Sequence, residues 1–253
     1  MTEKQNTINL IFDYGNTLKK IATFKSDKLL NLKIYKKAPV NNVINYIEKI
    51  KKHNNVNVII SSVIDFPEKL SNHLYSNFHV LNMSHKIPLP IKNKYQTPNT
   101  LGNDRLAAAV AAYYLFPQND VLIISAGSCL TFDFINKKGE YLGGAISPGI
   151  MMRFKALHNF TNKLPLIKKI EKTQLIGNST EKSMLSGVIN GILCEIDGII
   201  GQYKMKYPNL KVIVSGGDMF FLQKKLKNNI FAIHNIVLKG LNFILNYNNY
   251  NAN

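Results

Sequence analysis

At 253 residues, 45% of them hydrophobic, the chain is long enough for one large domain or two of about 100–150 residues, with ample apolar side chains for a core. A formal net charge of +17 admits a nucleic-acid partner. Yet Arg105 and Arg153 are the only arginines, and arginine is the better reader of bases and phosphates because its fork is bidentate; the lysine excess reads more simply as compositional drift, and nucleic acid is not expected as a partner.

No apolar run approaches the roughly 20 residues that span a bilayer. The opening MTEKQNT lacks the apolar core of a signal peptide. Cys129 and Cys194 stand in no metal or redox spacing, and the six histidines form no ligand pattern. A cytoplasmic protein with reduced thiols, no zinc and no membrane partner is expected.

In chain order, a strand over Ile8–Asp13 leads through a turn at Tyr14–Thr17 to strands over Leu18–Thr23 and Leu30–Tyr35. Val40, Val43, Ile44, Ile47 and Ile50 fall at helical spacing. A buried strand over residues 55–63, a short helix from Pro67 and a strand over residues 78–84 follow. The Pro-rich stretch 86–100 is extended and leads to an Ala-rich helix, Asp104–Phe116. The second half repeats the order. Strands over Val121–Ser125, Leu130–Asn136 and Tyr141–Ile146 precede helices over Gly149–Asn159 and Glu181–Lys204. A strand at Lys211–Ser215, a helix from Asp218, a short strand at 231–234 and a helix over Asn235–Leu245 complete it, with a polar, frayed tail. Two copies of three strands followed by alternating helices and strands imply two α/β domains, 1–116 and 117–253, with ligands in the cleft between the halves.

Several short stretches carry chemistry. In DYGNT (13–17), Gly15 permits a tight turn whose backbone N–H groups can meet phosphate oxygens, and Asp13 can hold Mg²⁺ directly or through water. A hairpin with an Asx turn explains the same residues. In YQTPNTLGNDR (95–105), Asn103 is a good helix cap and Asp104 falls in the first turn. Dipole compensation alone accounts for Asp104. It does not account for Arg105 beside it, able to hold a carboxylate or phosphate bidentately, or for Gly102. GGAISPG (143–149) is either a ligand loop or a sharp strand-to-helix passage, and SGGD (215–218) follows an apolar strand and opens a helix. Asn178 with Glu181 resembles a capping box.

DYGNT, YQTPNTLGNDR, the SAGSC turn (125–129) with TFDF and YLGGAISPGI, IGNSTEKSMLSG (176–187) and SGGD occur in the order seen in bacterial type III pantothenate kinases. The chain resembles that family nearly end to end. The resemblance implies an α/β fold of duplicated ribonuclease-H-like (actin-like ATPase) domains with an interdomain cleft. It implies phosphorylation of pantothenate by ATP to 4′-phosphopantothenate, the first step of coenzyme A biosynthesis, by a homodimer. By position, Asp104 resembles the acceptor of the pantothenate hydroxyl proton. Tyr95, Gly102, Asn103, Asp104, Arg105 and Thr180 would line the pantothenate site. Asp13, Tyr14, Gly15, Asn16, Thr17, Leu18, Lys19 and Lys20 would surround the ATP phosphates and Mg²⁺, and Ser128 matches a family Thr near the nucleotide. The helix from Glu181 would lie at the dimer interface, with burial inside the monomer as the rival.

Ser125 departs from the pattern. The family has Asp here, which helps bind a monovalent cation, potassium or ammonium. The hydroxyl leaves a weaker cation site, or no need of the cation, or a poorly active kinase. Two other functions compete: a kinase for another small hydroxy compound, and a non-catalytic, nucleic-acid-associated regulator.

Overall fold

The computed structural model describes residues 7–168 and 173–251, so the opening segment before Thr7 and the last two residues lie outside it. The first elements are β1 (Thr7–Tyr14), β2 (Lys19–Lys25), β3 (Lys28–Tyr35), α1 (Val40–Lys51), β4 (Asn55–Ser62), α2 (Glu68–Asn77), β5 (Val80–Asn82) and the two-residue β6 (Lys92–Asn93). A 3-10 turn at Pro98–Thr100, in the stretch expected to be extended, precedes α3 (Asn103–Leu115). Then come β7 (Val121–Ala126), β8 (Cys129–Ile135), β9 (Glu140–Pro148), α4 (Ile150–Asn159), α5 (Thr180–Lys206), β10 (Lys211–Ser215), α6 (Met219–Gln223), β11 (Phe231–Ala232) and α7 (Ile236–Asn251).

The chain forms two compact units, Met1–Leu115 with Ile236–Asn253, and Phe116–Asn235. In the first, the strand order is β3-β2-β1-β4-β5. β1, β2 and β3 are joined antiparallel, whereas β4 and β5 run parallel to β1. In the second, β9-β8-β7-β10-β11 repeats that order with the same directions. This is the duplicated ribonuclease-H-like arrangement.

Strand alternation sends every second side chain of β1 to one face. Leu10, Phe12 and Tyr14 therefore pack with Ile21, Val58 and Ile60 beneath Val43 and Ile47 of α1 and Leu70 and Leu74 of α2. In the second unit Leu122, Ile124 and Ala126 of β7 meet Ile150 and Phe154 of α4 and the apolar stripe of α5.

Two expectations are corrected. First, the 27-residue α5 is long and apolar enough to cross a membrane by length and composition, with mean hydropathy 1.4 over its most apolar window. Its buried residues, Met184, Leu185, Val188, Ile189, Ile192, Ile196 and Ile200, recur every three or four positions and face the core of the second unit. Second, α7 does not fray at Leu245 but runs to Asn251. Its amides find partners: Asn9 on β1 donates to Asn242 (2.8 Å) and Asn246 (2.6 Å), and Asn248 donates to the Pro88 carbonyl (3.0 Å).

A boundary at 116/117 taken in sequence order would leave α7 with the second half, yet α7 packs on α3. The Ala-rich surface of α3 lets it come close. A Cβ on Gly240 would lie 1.8 Å from the Ala107 carbonyl oxygen.

Candidate active site

In the first unit Asp13 is the penultimate residue of β1, paired across the ladder with Lys20. Cross-strand partners share a face, and the Lys20 Nζ stands 4.0 Å from Asp13 Oδ2. Burial pushes the Asp13 carboxyl up to about 6; Lys20 works against the rise, and the charge of Asp104 adds to it. The chain turns immediately afterwards, with the Gly15 N–H donating to the Leu18 carbonyl (3.0 Å). Asn16, Thr17 and Leu18 are exposed at its tip.

Alternation separates the residues expected together around the phosphates. Tyr14 is buried against Phe12 and Phe66 on the core face, so only its backbone remains available near Asp13. Lys19 pairs with Tyr14, which puts it on the face opposite Lys20.

Asp104 is an exposed residue in the first turn of α3. Its Oδ1 accepts from the Arg105 N–H (2.9 Å), which tips the carboxylate back toward the helix start. The space it occupies exists because residue 102 has no side chain: a Cβ there would lie 2.4 Å from Asp104 Oδ1. Arg105 is 7% exposed, and its guanidinium carbon sits 5.8 Å from the centre of the Tyr95 ring. Asn103 does not serve as the expected cap. It is the first helical residue; the Gly102 carbonyl accepts the first helical N–H bonds, and the Asn103 amide donates to the Met83 carbonyl (3.2 Å). Tyr95, Gly102, Asn103, Asp104 and Arg105 thus stand together, with Asp13 in electrostatic reach of Asp104.

In the second unit Ser125 takes the position on β7 that Asp13 takes on β1: penultimate, before a glycine turn. Asp133, the nearest carboxylate along β8, is fully buried and accepts from the Tyr141 hydroxyl (2.7 Å) and Thr131 Oγ1 (3.0 Å), so it does not supply the missing charge at the turn.

Two glycine passages converge on this turn. A Cβ on Gly149 would lie 2.1 Å from the Gly127 carbonyl oxygen, and the Gly149 N–H donates to Ser128 O (3.2 Å). Gly216, at φ +101°, leaves no room for a Cβ, which would lie 2.0 Å from Ala126 O; the Asp218 N–H donates to the same carbonyl (3.2 Å). Burial raises the Asp218 carboxyl above its ordinary value. The SPG and SGGD stretches were visible as punctuation, but their common destination was not. Gly143 and Gly144, by contrast, pair with Phe134 and Asp133 within the β8–β9 ladder, which favours a structural role over a ligand loop.

Ser128 is exposed at the turn. Thr180 opens α5 and lines a hollow of about 1400 Å³ between α4 and α5, with Met152, Phe160, Leu164 and Met184 among its walls. The cap of α5 is Ser179, whose Oγ accepts from the Lys182 N–H (3.4 Å), rather than Asn178.

Among the described residues no group of three or more His, Cys, Asp or Glu side chains could hold a metal by itself. The single, mostly buried carboxylate of Asp13 fits a different arrangement. Mg²⁺ is commonly held by one or two carboxylates, waters and substrate phosphates.

Residues 9–202 match the family described as type III pantothenate kinase. The chain is 45% identical over 245 residues to the type III pantothenate kinase of Christiangramia forsetii, covering 95% of this chain and 99% of that one. It is 44% identical over 244 residues to that of Bacteroides fragilis, covering 96% and 99%. Among solved structures, a Campylobacter jejuni protein described as a Baf family transcriptional activator superposes with TM-score 0.59 at 22% identity, covering 95% of this chain and 99% of that one. Glucokinase from an Antarctic psychrotroph superposes with TM-score 0.51 at 12% identity, covering 95% and 99%. These two speak to the fold alone, while the sequence match extends through both glycine turns and the Asp104–Arg105 element: the chain belongs to the type III pantothenate kinase family.

Proposed function

We infer that this protein transfers the terminal phosphoryl group of ATP to the primary hydroxyl of pantothenate, giving 4′-phosphopantothenate and ADP, at the start of coenzyme A biosynthesis. The observation that carries the reading is the grouping of Asp104, Arg105 and Tyr95 at the start of α3 with Asp13 in electrostatic reach.

Phosphoryl transfer needs mainly alignment and charge neutralisation. Asp104 orients the acceptor hydroxyl and takes its proton as the new P–O bond forms; an alcohol is far too weak an acid to be ionised beforehand. Arg105, buried and backed by Tyr95, holds the pantothenate carboxylate through its two-pronged fork. Thr180 contributes a hydroxyl to that substrate. The Gly15 turn and Lys20 receive phosphate oxygens, and in the second unit the exposed Ser128 turn offers a hydroxyl and backbone N–H groups to the nucleotide. Asp13 would hold Mg²⁺, directly or through water, and the charge of that ion would offset the negative charge of the phosphates.

With a hydroxyl at residue 125 where its counterpart in the first unit is a carboxylate, we propose that a monovalent cation is bound weakly. Two ribonuclease-H-like domains, the first completed by α7, and a cytoplasmic homodimer contacting through α5 complete the proposal. The apolar hollow beside α5 supports that contact. No observation favours the nucleic-acid reading.

The test is ADP release from ATP and Mg²⁺ with pantothenate, in sodium and then potassium, for the native chain, Asp104→Asn and Ser125→Asp. Native turnover, a loss of about 10²–10⁴ in kcat for Asp104→Asn, and stronger potassium stimulation in Ser125→Asp are expected. A folded native chain without turnover refutes the kinase reading. Potassium-independent native turnover refutes the weak cation site.

A further inference from the structure

Arg153 is one of two arginines in the chain, and the kinase reading gives it no task. It sits in α4, and its fork reaches three acceptors on two other segments. Its Nε donates to the Pro148 carbonyl (2.9 Å), and Nη2 donates to Ser147 Oγ (3.0 Å) and to Glu195 Oε2 on α5. The Arg153 and Glu195 side chains are 21% and 25% exposed, so the pair is partly shielded from solvent. Ser147 and Pro148 close β9, and Pro148 is paired with Cys129 in the ladder. The next residue, Gly149, is the one whose N–H binds Ser128 O and whose missing side chain lets it lie on Gly127.

The chain of contacts therefore runs from Glu195 through Arg153 to Ser147–Gly149, and from there to the backbone of the Gly127–Ser128 turn. Every link lies within the second unit. A lysine carries its three donors on one nitrogen, so it cannot place donors at both the Nε and the Nη2 positions as this arginine does. In a chain where nearly all cationic positions are Lys, the fork is present where three acceptors have to be met at once.

We propose that Arg153, oriented by Glu195, is a positioning residue for nucleotide binding: it straps the Ser147–Gly149 passage onto the Gly127–Ser128 turn and fixes the backbone that receives the nucleotide. The proposal rests on the reading of that turn as part of the nucleotide site. Arg153 touches no reacting atom; it acts through the turn.

The test compares native chain, Arg153→Lys and Glu195→Gln by titration with a fluorescent ADP analogue, by KM for ATP and for pantothenate, and by thermal melting. For Arg153→Lys, the analogue Kd and the KM for ATP rise about tenfold, as expected when a supporting contact to a binding group is lost. The KM for pantothenate, whose proposed contact Thr180 lines the same hollow as Arg153, rises clearly less than that for ATP. Glu195→Gln keeps shape and one acceptor oxygen and gives the same split at smaller size; it carries the test should Arg153→Lys not fold. Unchanged nucleotide affinity in a folded variant overturns the proposal. So does a parallel rise of both KM values with a matching drop in melting temperature, which marks general loosening. A native chain that binds the analogue without turning over pantothenate defeats the kinase reading alone, and the Kd comparison still decides this one. A native chain that binds no nucleotide overturns both.

Discussion

Replacing Asp13 by Asn separates the cost of a buried charge from its use. Burial raises the Asp13 carboxyl from 3.8 to about 6, Lys20 opposes the rise, and Asp104 adds to it. The folded state thus holds the proton more tightly than the unfolded chain. The associated stability is fully present below about pH 4 and is lost as pH rises through about 6. At 1.4 kcal/mol per unit, the ionised carboxylate costs the apo protein about 2–3 kcal/mol near neutrality. The side chain is only 18% exposed, so solvent screens little of this. Asn carries no charge, so Asp13→Asn should raise the melting temperature at neutral pH. At about 2–4 °C per kcal/mol for a chain of this size, the gain is roughly 4–12 °C. The gain should shrink toward zero near pH 4. Thermal melts across that range, without nucleotide or divalent ions, measure it, and ADP release should fall sharply in the same variant. A variant less stable than native at neutral pH, or a gain that does not change with pH, would refute the reasoning.

Three further substitutions probe the geometry. Gly102→Ala puts a methyl group 2.4 Å from the present position of Asp104 Oδ1. The carboxylate can swing aside, so melting should change by less than about 1 kcal/mol while kcat falls by about tenfold or more; unchanged kcat would remove Asp104 from its assigned place. Arg105→Lys keeps the charge but loses the fork, and should raise the KM for pantothenate by about tenfold with little change in that for ATP; steady-state kinetics with each substrate varied would show the opposite split if Arg105 served the nucleotide. Gly216→Ala forces a side chain into φ +101° and against Ala126 O. Its denaturant midpoint should report a loss of about 2 kcal/mol or more, together with weaker binding of an ADP analogue; full stability would mean the SGGD turn does not rest on the SAGSC turn.

Local chemistry made much of this protein legible in its sequence. Alternating apolar runs closed by Gly15 and Gly127 announced paired strands, and the repeat of that order announced a duplicated fold, because strand period and turn residues are encoded within a few positions. The Asp104–Arg105 pair at a helix start was legible in the same local way, while its acceptor role is the one proposed above. Long-range packing decided the rest. Tyr14 and Lys19 fall away from Asp13 because ladder register, not proximity in sequence, sets the face. The α7 helix joins the first unit because Gly240 can lie on Ala107 and because Asn242 and Asn246 satisfy Asn9 on β1 from more than two hundred residues away. The meeting of the SPG and SGGD passages on the Ala126–Ser128 turn, and the strap from Glu195 through Arg153, likewise exist only once the strands are in register. A buried amide, a glycine without room for a Cβ and a three-acceptor arginine are answers to neighbours that the linear chain does not name.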